Sequence, residues 1–211
     1  FDSNDPRLKS DIGIVFEQIR KHLKTTDLFE IIKQDGAPQI AASGLFATAP
    51  KLAEGPKDLG VESVPDFEKY TKIGISAIVI GQFNFDQNNN LEVRIRMWDV
   101  LDQRQLFGKF YTSSIDNYRK LSALVSNEIF KSIVGEKIGH FDSKIVYISE
   151  TGSFNRRTKR ISMVDFDGEA RRILTDGRDL VLTPIFSRKK NELYYLRYFE
   201  GKPQIFALDT I

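Results

Sequence analysis

An α/β domain followed by short all-β repeats is the fold class predicted by this sequence of 211 residues, and three observations lead to it. Residues 74–100, GISAIVIGQFNFDQNNNLEVRIRMWDV, hold two strand patterns of unlike burial. Two amphipathic helical periods flank them. After residue 143 the helical period disappears and short strand patterns recur.

The first helical period begins where Asp5 and Pro6 read as N-cap and first helical residue. Leu8, Ile12, Val15, Phe16, Ile19 and Leu23 then recur at helical spacing over residues 6–24. Burying such a stripe contributes roughly 1.5–3 kcal/mol per large side chain before entropy is subtracted, so the helix requires a sheet to lie on. Leu28, Phe29, Ile31 and Ile32 form a short apolar run that ends at Asp35 and Gly36, the pattern of a strand and a turn. Residues 35–64 carry Gly36, Gly44, Gly55, Gly60, Pro38, Pro50 and Pro56 with no sustained period, and read as a long irregular connection. Pro65 opens a short helix through Phe67, Tyr70 and Ile73, which Gly74 stops.

The central strands come next. Ala77, Ile78, Val79 and Ile80 are an unbroken apolar run, which in a strand places hydrophobic side chains on both faces and calls for helical cover on both. The following strand alternates, with Leu91, Val93, Ile95 and Met97 on one face and Glu92, Arg94, Arg96 and Trp98 on a half-wet one. DQNNN between them is a hairpin turn, because Asn and Asp tolerate positive φ and bond the nearby backbone. A third strand over residues 105–112 follows the polar turn 102–104. Asn117 caps a second long helix with Tyr118, Leu121, Leu124, Val125, Ile129 and Ile133 facing inward, and Gly135 ends it. One helix at each end of a three- or four-stranded sheet completes the domain.

The predicted division is an α/β domain over residues 1–135, a linker over 136–143 (EKIGHFDS) and β repeats over 144–211. In the repeats KIVYIS, KRISMVDF and ARRILT are strand candidates, with Asp167 and Gly168 in a tight turn between the last two. KIVYISETG corresponds to ELYYLRYFEG, and RISMVDF to QIFALDT. Ile145 therefore maps to Leu193 at an offset of 48 and Asp165 to Asp209 at 44. A period in the middle forties built from short strands fits the blades of a β-propeller.

Composition narrows the function. With 41% hydrophobic and 28% charged residues the chain has the balance of a globular protein. No apolar run approaches the roughly 18 residues of a membrane span, and Phe1 opens on no signal-peptide pattern. The absence of cysteine removes disulfides, thiol catalysis and thiolate metal sites without choosing a compartment. A net charge of +2 is far from the basic excess of a nucleic-acid binder.

Three sequence signatures resemble those of the TolB family, soluble periplasmic components of the Tol-Pal envelope system of Gram-negative bacteria. GISAIVIGQF resembles the family's GADAVVVGQV strand, and the first helix with DLFEII resembles its helix followed by an SGLF strand. TPIFSRKKNELYYLRYFEGKPQIFALD resembles the blade pattern SPxWSPDGxxIAYxSxxxGxxxIYxxD, with Thr183, Pro184, Phe186, Ser187, Tyr195, Gly201, Ile205 and Asp209 in matching places. Phe186 stands where tryptophan is usual, and Arg188, Lys189 and Lys190 replace the Pro-Asp-Gly turn.

The resemblance implies a three-layer, anticodon-binding-domain-like N-terminal domain on a mixed sheet, followed by the first one to two blades of a propeller of about six. It also implies a non-enzymatic periplasmic scaffold that binds the peptidoglycan-associated lipoprotein Pal, and TolA through an N-terminal extension. That role supports outer-membrane integrity and envelope constriction at cell division. By that resemblance the signal peptide, the TolA-engaging extension, the first strand and about four of six blades have no counterpart in this sequence; the family's partner-contact residues lie mainly in the missing segments, so no partner-binding residue carries over.

Two other readings compete: a nucleic-acid-binding module built on the anticodon-binding-like domain, and the accessory propeller of a hydrolase. Neither finds its chemistry. There is no G-x-S-x-G, H-E-x-x-H or G-x-x-x-x-G-K-[ST]. His22 falls on a helix and His140 in the linker, without evident partners for base or ligand work. Asp165, Asp167, Gly168 and Glu169 lack the spaced ligands of a calcium loop and read as a hairpin turn. Glu128 and Glu136 have no second carboxylate at acid/base spacing. Arg156, Arg157, Lys159 and Arg160, with Arg171, Arg172 and Phe154, invite a phosphate-binding reading, but charges on outer strands also guard sheet edges and no stacking array accompanies them. The sequence thus predicts no catalytic, cofactor-binding or metal residue and no cofactor.

Overall fold

The computed structural model describes residues 6–28, 30–32, 51–54, 60–135, 137, 139–187 and 191–210, with side chains omitted at 6–12, 30–32 and 51–54. Asp5, Phe29, the turn at Asp35 and Gly36, the glycines and prolines at 38, 44, 50, 55 and 56, Glu136, Arg188, Lys189 and Lys190 lie outside the described residues, as do the side chains of Leu8 and Ile12. The chain divides into two compact units, Phe1–Phe141 and Asp142–Ile211.

In the first unit the elements run α1 (Pro6–Lys24), β1 (Glu30–Ile32), β2 (Lys51–Glu54), α2 (Phe67–Lys72), β3 (Ala77–Phe85), β4 (Leu91–Asp99), β5 (Arg104–Ser113), a 3-10 turn (Ile115–Asn117) and α3 (Tyr118–Val134). One mixed sheet takes the order β1-β2-β3-β4-β5, parallel from β1 to β3 and antiparallel from β3 to β5. The strand β2 corrects the reading of residues 35–64 as wholly irregular and brings the sheet to five strands. Its four residues, KLAE, carry no alternation, and strand pairing is made by backbone groups that a side-chain pattern does not record.

The β3–β4 hairpin has the predicted turn. Asp86 Oδ1 accepts from the amides of Asn88 and Asn90, its Oδ2 accepts from the Asn90 side chain, and Asn89 takes φ 62°. This fixes a nine-pair register from Ala77↔Asp99 to Phe85↔Leu91. Register sorts the faces. Phe83, Leu91, Val93, Ile95 and Met97 are all buried on one side, where Phe16 of α1 meets Phe83 at 5.0 Å between ring centroids. Lys109 of β5, opposite Ile95, reaches Glu128 of α3 on the same side.

Both long helices therefore cover one face, and they pack on each other, with Ser122 Oγ donating to the Val15 carbonyl at 3.3 Å. On the opposite face Ile78, Ile80 and Trp98 are covered by the six-residue α2 and the turn before it, through Tyr70, Val61, Ile75, Val100 and Phe67. Trp98 belongs to this second core rather than to a wet face: it pairs with Ile78 across the hairpin and lies 5.8 Å from the Phe67 ring at 7% exposure. Gln82, Arg94 and Phe110, further along the same face, are exposed.

Asn117 is the residue before α3 but makes no side-chain cap. The 3-10 turn supplies the first bonds, and Ser114 Oγ accepts from the Asp116 amide. Gly135 ends α3 at φ 77°, in the left-handed region that costs glycine least. Beyond it Asn127 Oδ1 accepts from the Phe141 amide at 3.0 Å, and Phe141 is 2% exposed between His22 and Phe130. A Cβ at Gly139 would lie 2.1 Å from that same Oδ1.

The second unit contains two three-stranded antiparallel sheets. The first is β6 (Lys144–Thr151), β7 (Thr158–Asp165) and β8 (Arg172–Ile173); the second is β9 (Val181–Phe186), β10 (Glu192–Phe199) and β11 (Lys202–Asp209), with β10 central. The internal repeat survives in the registers, since Lys144↔Asp165 and Glu192↔Asp209 are equivalent pairs. Ile161 and Val181 join Leu193 and Tyr195 in one core between the sheets, against Val146, Ile148, Phe186 and Phe206. Both sheets are open. On the outer side of the second, Ile185, Tyr194 and Ile205 are 60%, 38% and 78% exposed.

Replacing Gly139 with alanine should lower stability by about 1–3 kcal/mol through overpacking against Asn127, read as a shifted urea midpoint. Leu23→Ala, which empties a site 2% exposed, should cost about 2–5 kcal/mol.

Candidate functional site

The histidines are engaged in the interior of the first unit. His22 is 3% exposed, and its Nε2 lies 2.9 Å from Gln18 Nε2 while its Nδ1 lies 3.2 Å from Ser126 Oγ. Ser126 itself donates to the Ser122 carbonyl. A neutral imidazole with the proton on Nδ1 satisfies this chain, with Gln18 donating at one end and Ser126 accepting at the other. The ring stacks on Phe141 at 5.4 Å, and His140 packs edge-on to Phe130 at 4.9 Å. These are packing contacts among α1, α3 and the segment that follows Gly135.

The carboxylates are equally committed. Asp165 accepts from Lys144 across the first sheet, and the Asp165 amide donates to Glu169 O in the turn. Gly168 turns the chain at φ 81°, and Asp167 Oδ1 accepts from the Glu169 amide. Together they close the hairpin between β7 and β8 predicted from Asp167 and Gly168. Glu128 meets Lys131 at 3.3 Å and Lys109 at 3.8 Å. Burial, with a smaller contribution from Glu128, pushes the Tyr111 phenol up to about 12. Among the described residues no group of three or more His, Cys, Asp or Glu is placed to hold a metal ion, and no helix is long and apolar enough to cross a membrane.

Within the basic cluster of the first sheet, Arg157 and Lys159 share one carboxylate. Glu150 pairs with Lys159 at 2.9 Å and with Arg157 at 2.9 Å, and these bonds, Lys159 first, hold its carboxyl below the usual glutamate range. Arg160 donates to the Asp176 carbonyl and to Thr151. Phe154 is 85% exposed with the Arg157 guanidinium 5.4 Å from its ring centroid. Arg171 and Arg172 are exposed near the two-residue β8. The structure does not gather these cations around one point.

Two surfaces escaped the sequence reading. One is the outer side of the second sheet, described above. The other is a groove of about 510 Å³ on the uncovered part of the first sheet, lined by Val61, Glu62, Arg94, Arg96, Gly108 and Phe110 among others. The alternation of β4 placed Arg94 and Arg96 on one face, but Phe110 joins them only because the register shifts by one residue between Met97 and Trp98; continued from Asp99↔Arg104 without that shift, the pairing would set Phe110 opposite Val93 on the helix-covered face.

Tyr111 carries a linkage consequence. A raised folded value means that its contribution is full below the ordinary tyrosine value of about 10 and is lost as pH rises toward the folded value. Glu128→Gln should bring the Tyr111 midpoint, followed by NMR of the ring carbons, down from about 12, while the alkaline loss of stability begins at the same pH. A midpoint that stays put would assign the shift to burial alone.

Comparison with known proteins now gives the geometry a family. The family model described as the TolB amino-terminal domain matches residues 10–106. The Tol-Pal system protein TolB of Paramagnetospirillum magneticum (strain ATCC 700264 / AMB-1) is 38% identical over 186 residues, covering 87% of this chain and 40% of that protein. The crystal structure of TolB from Acinetobacter baumannii matches with a TM-score of 0.62 at 22% identity, over 76% of this chain and 40% of that one. That last likeness is one of fold, and the chain spans well under half the length of either relative. The chain carries a TolB amino-terminal domain over residues 10–106 and is similar along most of its length to a TolB protein.

Proposed function

We propose that this protein is a non-enzymatic interaction scaffold of a Tol-Pal system, working in the periplasm and binding Pal and TolA in support of the outer membrane and of envelope constriction at division. The observation that carries the reading is the 38% identity to a Tol-Pal system protein along most of this chain. His22, Asp167 and Lys159, which invited enzymatic or phosphate chemistry, are held in packing, a turn and an ion pair, which supports the scaffold reading.

The two open sheets are, in this proposal, the beginning of a closed propeller. Their shared register and the exposed Ile185, Tyr194 and Ile205 support it, because each blade of a propeller buries its faces between neighbours. Residues 136–143 then act as the joint between the α/β domain and the blades.

The test is calorimetric titration of the periplasmic domain of the cognate Pal into the full-length protein. Binding should survive a rise from about 50 to 200 mM salt, because a partly apolar protein interface releases few counterions. A structured RNA titrated in parallel should not bind. RNA binding that collapses over the same salt range, with no heat from Pal, would overturn the scaffold reading.

A further inference from the structure

On its α2 side, beyond α2 itself, the first sheet presents an ordered grid of side chains among the described residues. Hydrogen-bonded register sets Ile80 beside Arg96 and Gly108, Gln82 beside Arg94 and Phe110, and Asn84 beside Glu92 and Thr112. The first row is half-covered by the turn that carries Val61 and Glu62, and the groove opens over the second.

Within it the two guanidinium groups differ. Arg96 is paired with Glu62, whose neighbour Val61 is 4% exposed and anchors the turn in the core under α2. Arg94 is exposed and has no carboxylate partner among the described residues; its guanidinium lies 5.8 Å from the centroid of the Phe110 ring, which is 54% exposed. Gly108 keeps the floor between them open. A Cβ there would come within 3.0 Å of Gln105 Nε2 and 3.6 Å of Arg96 Cγ.

The molecule therefore already seats one carboxylate in this groove, delivered by a non-helical segment onto Arg96, and leaves the adjacent cation and an aromatic surface open. We propose that the groove is a docking site for an acidic peptide segment in extended form, whose carboxylate pairs with Arg94 while a neighbouring apolar side chain lies on Phe110 beside Gly108. Charge complementarity selects this occupant. A planar guanidinium donates two parallel hydrogen bonds to a carboxylate. A nucleic-acid strand would need a run of cations and several stacking rings, and here Glu62 and Glu92 flank a single exposed ring. The proposal rests on the side chains of the groove and does not depend on the proposed Tol-Pal role.

The probe is a fluorescein-labelled peptide of alternating Asp and Phe residues, five to seven long, titrated by anisotropy with the full-length protein at low salt. The proposal expects saturable binding that Arg94→Gln weakens about tenfold, the loss of one charged hydrogen-bonded contact. Phe110→Ser should also weaken it. Glu62→Gln, which frees Arg96 for the ligand, should tighten it. Arg156→Gln, on the β6–β7 hairpin of the other unit, should change nothing. Arg94 and Phe110 are exposed, so the variants should keep the parent thermal transition, and that is measured alongside. Equal binding of the Asn-for-Asp peptide, unchanged affinity in Arg94→Gln, no tightening in Glu62→Gln, or preferential binding of a single-stranded oligouridylate lost in Arg94→Gln would each overturn the assignment.

Discussion

Everything in the first unit depends on the register of the β3–β4 hairpin. Because strand side chains alternate with period two, a slip of one residue would turn Leu91, Val93, Ile95 and Met97 away from the long helices and leave Arg94 and Arg96 beneath them. The Asp86 carboxylate prevents this by holding two backbone amides and the Asn90 side chain in one turn. The same bonds, those of Asn90 foremost, hold its carboxyl below the ordinary aspartate value. One side chain of the turn thus sets which residues are core and which line the groove.

How far the sequence could be read follows from which forces leave a pattern. The helices α1 and α3 were legible because burial imposes a helical period on apolar residues, and the DQNNN turn because Asn and Asp have a specific backbone chemistry. The Asp167–Gly168 turn was legible for the same reason. The strand β2 was not, since a short pairing of main-chain groups selects no side-chain period. Nor was the placing of both long helices on one face: an apolar run in β3 states that two faces are covered, not what covers them. The fate of the charged cluster was only half legible. Arg157 and Lys159 were visible as cations, but Glu150 becomes their neighbour only when β6 folds back on β7.

Trp98 shows how local alternation can mislead. It occupies a position that the period assigns to the wetter face, yet that face is wet only where α2 and the Val61 turn do not reach. Its indole N–H is buried without a hydrogen-bond partner among the described residues, a cost the site bears for the contact area of the ring. The sheet face is consequently divided into a dry half under Phe67 and a wet half around Phe110. The second unit distributes burial differently. Arg197 is held by Asp179 with its guanidinium 5.1 Å from the centroids of both Phe199 and Phe206, so a charged group finishes the packing where the apolar residues run out.

Asn127 and Gly139 are joined in space, and the contact constrains what each position can hold. The asparagine side chain fills the volume that any larger residue at 139 would need, while its oxygen ties down the amide of Phe141. Neither position can therefore drift alone. In related proteins a side chain at the glycine position should be accompanied by a smaller residue on the helix, and wherever the asparagine persists the glycine should persist with it. Such paired replacement would mark this contact in an alignment, although the two positions are twelve residues apart and neither belongs to an apolar stripe.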